Sequence, residues 1–203
     1  MRFIKILISV LTVCFLVSCS GEGECYNAHK KLMEMKSYTA DVVINVNGNR
    51  SKSTYKAKQT FMEPNYIKVE TIEPKELNGK KIVYNGDKWK VYHPLIKDIV
   101  EFTSLKSIDE VMYMGIIHKS FIMSDNIKER NVEKNGAGCI EFKAPLPNGN
   151  DHRSYAKLYV NKSSNKPILL EVYNKEDKVT FDVQYLNFEY NSPVDKDQFK
   201  LTK

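Results

Sequence analysis

In residues 38–46 every second side chain is apolar: Tyr38, Ala40, Val42, Ile44 and Val46 share one side of the chain, and Asp41 and Asn45 lie on the other. A period of two marks a strand with one buried and one solvated face. The Asn-Gly-Asn at 47–49 interrupts the pattern as a turn, and residues 53–62 resume it, with Tyr55, Ala57 and Phe61 on the apolar side and Lys56 and Lys58 on the polar side. The two runs read as an antiparallel hairpin. The same period returns in 65–72, in a second hairpin over 80–94 turning at Asn85-Gly86, and in 97–102, 127–134, 138–144, 153–161, 166–174 and 178–190. Residues 145–151 (PLPNGND) read as a loop. Within the last strand Val179, Phe181, Val183 and Tyr185 share one parity, whereas Leu186, Phe188 and Tyr190 share the other. That slip predicts a β-bulge near Tyr185, which would curl a long sheet.

Two segments change period. Over 25–38, Cys25, Ala28, Leu32 and Met35 recur at helical spacing, with Lys30, Lys31 and Glu34 off the stripe. Over 107–123, Ile108, Val111, Met112, Ile116 and Phe121 do the same behind a Ser107/Glu110 capping box, and Gly115 weakens the middle of that helix. The predicted fold is mainly β with some α. Nine to eleven antiparallel strands form one strongly curved sheet, partly closed around a helix.

Composition changes this picture only at the N-terminus. The 42% apolar and 28% charged residues of the 203-residue chain suit one ordinary domain. The formal charge is +6, and two of the cations, Arg2 and Lys5, open the chain. Behind them Ile6 to Val17 are apolar, long enough for a signal segment and short for a membrane span. The remaining lysines look scattered along the strands, which argues against a nucleic-acid partner. Leu16-Val17-Ser18-Cys19 resembles the bacterial lipobox. Residues 1–18 are then a lipoprotein signal peptide, Cys19 carries the lipid, 19–24 form a short polar tether, and 25–203 form the single folded domain. A five-residue tether reaches at most about 17 Å, so the domain is expected on the outer face of a membrane and close to it. With Cys14 in the leader and Cys19 acylated, Cys25 and Cys139 remain. A disulfide between them and two buried thiols are equally compatible with the sequence.

Candidate chemistry is sparse. His29, His93, His118 and His152 have no second ligand at a recognised metal spacing, and the chain has no HExxH, no GxSxG and no phosphate-binding glycine loop. No metal, cofactor or catalytic residue is expected. Binding remains, in two forms. Tyr38, Val42, Ile44, Tyr55, Phe61, Met112, Ile116 and Phe121 would line an apolar cavity on the concave face, or would simply pack it. An unclosed sheet would also leave edge strands able to pair with a partner's strand or with a second copy.

Residues 59–102 resemble the corresponding stretch of the LolA, LolB and RseB superfamily of periplasmic lipid- and lipoprotein-binding proteins. Pro64, the Asn85-Gly86 turn, Trp89, Tyr92 and Pro94 carry the likeness, and 192–199 resemble the family's C-terminal segment. The resemblance implies an unclosed antiparallel β-barrel, a half-barrel, with an N-terminal helix and a helical lid. Soluble LolA carriers have an arginine before the proline, where this chain has Glu63. They also lack a lipid anchor, which argues against a shuttling role here. A small lipobox-bearing member rich in Lys, Asn and Ile is most similar to the germination lipoprotein GerS group of spore-forming clostridia. That group implies a non-enzymatic partner of a cortex-modifying N-acetylmuramoyl-L-alanine amidase at the spore envelope.

Overall fold

The computed structural model describes residues 20–48, 51–103, 112–123 and 127–201. The predicted signal peptide, Cys19, Asn49 of the first turn and the Ser107/Glu110 capping box, with Ile108 and Val111, lie outside the described residues. Helix α1 is Ser20–Met33 and helix α2 is Met114–Ile122. The strands are β1 (Ser37–Asn47), β2 (Lys52–Met62), β3 (Tyr66–Glu73), β4 (Lys81–Asn85), β5 (Trp89–His93), β6 (Asp98–Phe102), β7 (Lys128–Lys134), β8 (Ala137–Asn150), β9 (Arg153–Asn161), β10 (Pro167–Tyr173) and β11 (Val179–Tyr190).

All eleven form one antiparallel sheet in the order β6-β5-β4-β3-β2-β1-β11-β10-β9-β8-β7. Each strand therefore pairs with its neighbour in sequence, except at the centre, where the first strand meets the last. The sheet does not close. Among the described strands β6 and β7 are its two edges, and the chain crosses between them through α2 on the concave side. This is the expected half-barrel, with α1 and α2 packed on each other and on β8.

Hairpin register follows the alternation. Tyr38, Val42 and Ile44 of β1 stand opposite Phe61, Ala57 and Tyr55 of β2. All face the core, where Tyr38 stacks between Phe61 and Phe188 at ring separations of 5.6 and 5.0 Å. The bulge lies two residues beyond its expected place. β11 shifts register against β1 between Thr39 and Asp41, and Asn187 adopts a φ of 50° there. Asn tolerates that left-handed conformation better than most residues. Phe188 returns to the core behind the bulge, but Leu186 does not. It stays on the outer face, half exposed.

Three boundaries differ from expectation. α1 begins at Ser20, so the stretch read as a tether is already helical, and Glu24 in its first turns pairs with Lys162 at 3.0 Å. Its two glycines hid this from a propensity reading. β8 runs on through the prolines to Asn150, after a register shift at Pro145, and the Asn150 side chain accepts the His152 and Arg153 N–H groups to make the turn. The second helix is not continuous over 107–123. Tyr113 is extended, with φ −100° and ψ 108°, and α2 starts only after it.

Candidate functional site

The concave face holds a cavity of about 340 Å³ over the strands β1 to β4. Ile44 and Val46 of β1, Tyr55 and Ala57 of β2, Val69 and Thr71 of β3 and Ile82 of β4 form its wall. Leu77 and Lys80, from the short 3-10 turn and the link between β3 and β4, close one side, and Met112 and Tyr113 close another. The lining is mostly apolar, and among the described lining residues Lys80 is the one that carries a formal charge. A site of this kind suits an apolar chain with an anionic end.

Of the residues expected to line a cavity, the structure brings Ile44, Tyr55 and Met112 to it. Tyr38, Val42, Phe61 and Phe121 are instead packed core, each 1% exposed or less, and Ile116 packs partly buried against them. Val69 and Ile82 were legible by strand parity once the sheet order was known. Leu77 and Lys80 carry no periodic signal.

The packing around Phe61 explains Gly115. A Cβ at position 115 would meet the Phe61 ring at 2.2 Å, so glycine is what lets α2 approach β2. His118, one turn further on, is buried against the same ring at 5.6 Å, and its Nδ1 lies 2.8 Å from the Gly115 carbonyl. Burial holds its pKa below the ordinary histidine value, so the ring is neutral. Above it, the Tyr38 hydroxyl donates to Gln59 at 3.1 Å, and Gln59 Nε2 donates to the Met112 carbonyl at 3.5 Å. This chain of polar contacts fixes the start of α2 over the sheet.

On the outer face of β7 to β10 two glutamates are nearly sealed. Glu141 accepts both Arg130 Nε and Nη2, at 2.8 and 3.0 Å, with Lys157 3.6 Å away. Glu171 accepts Lys134 at 2.8 Å, the Tyr159 hydroxyl at 3.0 Å and the Tyr173 hydroxyl at 2.6 Å. Burial pushes both carboxyls up, but their donors and cations outweigh it and hold both below the usual carboxylate range. Tyr155 stacks on Tyr173 at 4.8 Å, and burial with its bond to Asp177 pushes its hydroxyl up to about 12.

Cys25 faces the concave core and Cys139 the outer face, on opposite sides of the sheet, so they are two free thiols and not a disulfide. Burial pushes both thiols up. His29 contacts Glu129 at 3.2 Å, and no group of three or more His, Cys, Asp or Glu side chains is placed to hold a metal among the described residues.

An open antiparallel half-barrel with two helices on its concave face is a LolA-like fold. The model of the sporulation protein YdcC-like family matches residues 1–199, and the chain belongs to that family. Among solved structures, it is similar to a chain of the complex between the CwlD amidase and the GerS lipoprotein of Clostridioides difficile. The identity is 29%, the TM-score is 0.52, and the match covers 86% of this chain and 98% of that one. It also shares its fold with an outer membrane lipoprotein-sorting protein domain of Vibrio parahaemolyticus, at 8% identity and a TM-score of 0.51 over 87% and 94% of the two chains. The Methanocaldococcus jannaschii protein MJ0687 is 24% identical over 98% of this chain, which spans 58% of that relative's length.

Proposed function

We propose that this protein is a non-enzymatic, membrane-anchored lipoprotein that binds and supports a cortex-modifying N-acetylmuramoyl-L-alanine amidase during spore formation and germination. The observation that carries the reading is the likeness to GerS, a lipoprotein held in complex with the CwlD amidase, together with membership of a sporulation family. Cys19 bears the lipid and holds the domain on the extracytoplasmic face of the membrane, in the forespore envelope. β6 and β7, the sheet edges among the described strands, would offer backbone groups to a partner strand, and pairing of two copies through the same edges belongs to this reading. The test is co-purification of the amidase from sporulating cells, with its abundance and activity compared in a strain lacking this protein. A stable complex and loss of amidase activity are expected; unchanged amidase folding and activity would end the proposal. Labelling with a palmitate analogue, present on wild type and absent from Cys19→Ala, tests the anchor.

A second reading is favoured by the cavity and Lys80: an acyl chain of a lipid or lipoprotein bound over β1 to β4. Mass spectrometry of the protein purified under native conditions would show such a ligand, and Ala57→Trp would expel it.

A further inference from the structure

Lys128, Lys143 and Lys157 stand directly opposite one another on β7, β8 and β9. Adjacent strands are about 4.8 Å apart, and like charges in such register repel. Arg130 follows Lys128 on the same outer face. The acids of this face do not balance the row. Glu171 is taken up by Lys134 and two tyrosines, and Glu141 by Arg130 and Lys157. Among the described residues no ion pair joins Lys128 or Lys143 to a carboxylate. The Lys143 ammonium instead lies over the Tyr155 ring at 3.9 Å, and Lys157 over Tyr173 at 4.8 Å. The ring contact holds the Lys143 charge in place without neutralising it, whereas Lys157 is also paired with Glu141.

The second observation is where this face sits. α1 starts at Ser20, directly after the apolar run, and Glu24 is tied to Lys162 in the turn after β9. At about 3.3 Å per residue along β9, Lys157 is roughly 17 Å from Lys162. Glu24 thus pins the start of α1 at the end of β9, the strand that also carries Lys157.

We propose that the outer face of β7 to β9, through Lys128, Arg130 and Lys143, docks on the anionic headgroup layer of the bilayer. This goes beyond the amidase reading and rests on it only for attachment near the membrane. The docked orientation turns the concave face, its cavity and the β6 edge away from the lipid, where a protein partner reaches them.

Residues 20–203 contain every buried apolar residue among those described, from Ala28 to Phe199, and are the unit to test. Flotation with equimolar phosphatidylglycerol–phosphatidylcholine vesicles should carry this fragment, and pure phosphatidylcholine vesicles should not. Binding should fall as salt rises. The double reversal Lys128→Glu with Lys143→Glu should weaken it roughly tenfold or more. Lys56→Glu with Lys90→Glu, on the other wing of the sheet, should leave it within about twofold. Equal binding to both vesicle types, an unweakened double variant with native circular dichroism, or capture by polyglutamate without vesicle binding would each overturn the proposal. Loss of acyl label at Cys19 with vesicle binding of 20–203 intact would end the anchor reading and leave this one standing.

Discussion

On one side of the central β1–β11 pair, β8 carries both helices on its concave face, with α2 reaching across to Phe61 of β2, and β7 to β10 carry a sealed network of glutamates, tyrosines and cations on the outer face. On the other side, β2 to β6 share with β1 a cavity over β1 to β4 and carry loose ion pairs on the outer face, such as Lys56–Glu73 with both side chains more than half exposed. The open wing also ends in exposed apolar residues: Leu95 and Ile96 at the β5–β6 turn, and Val100 and Phe102 on β6. The same kinds of residue are thus used twice, once for order and once for availability. A lysine beside a glutamate means little when water screens both, and a great deal when the carboxylate is buried and every lone pair is occupied.

The largest break in this comparison should come from Glu171. Replacing it by alanine leaves Lys134 and two buried hydroxyls unpaired, and should lower unfolding stability by about 3 kcal/mol in urea titrations. Glu73→Ala, the corresponding change on the open wing, should leave the midpoint where it is. Adding carbon atoms gives the next contrast. Gly115→Ala drives a methyl into Phe61 and should cost about 1–3 kcal/mol, whereas Ala57→Leu grows into the cavity and should cost under about 1 kcal/mol or stabilise.

Acid separates the two layers of the closed wing. His118 has a depressed folded pKa, so its stabilising contribution is complete above about pH 6.5 and is lost as pH falls below that, when the unfolded chain takes up a proton first. Glu141 and Glu171 are also depressed, and their contribution is lost only below about pH 4.5. Thermal melts between pH 7 and 5 should show a decline that His118→Gln removes, while the steeper loss below pH 4.5 persists in both proteins. The smallest effect on stability is expected at the open edge. Val100→Lys should change stability by less than about 0.5 kcal/mol and still reduce recovery of the amidase in co-purification.

The strands were legible because alternation is a local property. Tyr38, Val42, Tyr55 and Ala57 announce their faces within a few residues. What needed three dimensions was anything set by register. Lys128, Lys143 and Lys157 look scattered in sequence, and only the pairing of β7, β8 and β9 collects them. The bulge was visible as a slip of parity, but its position was decided by Asn187, the residue able to take a positive φ. Gly115 read as a helix weakness because its reason, the Phe61 ring, lies on another element. The cavity was half legible for a similar cause. Its strand residues follow parity, while Leu77 and Lys80 come from a connection without period.

The pairing of β1 with β11 puts the first and last of the described strands side by side in the middle of the sheet. Asn191 seals that seam by accepting the Lys36 N–H at 2.8 Å, across 155 residues of sequence. Contacts so distant in sequence form late. A chain emerging N-terminus first, from a ribosome or through a membrane pore, therefore has two hairpin arrays but no centre until its last strand is out. The topology is its own timer: the β1–β11 seam closes only once the last strand is available.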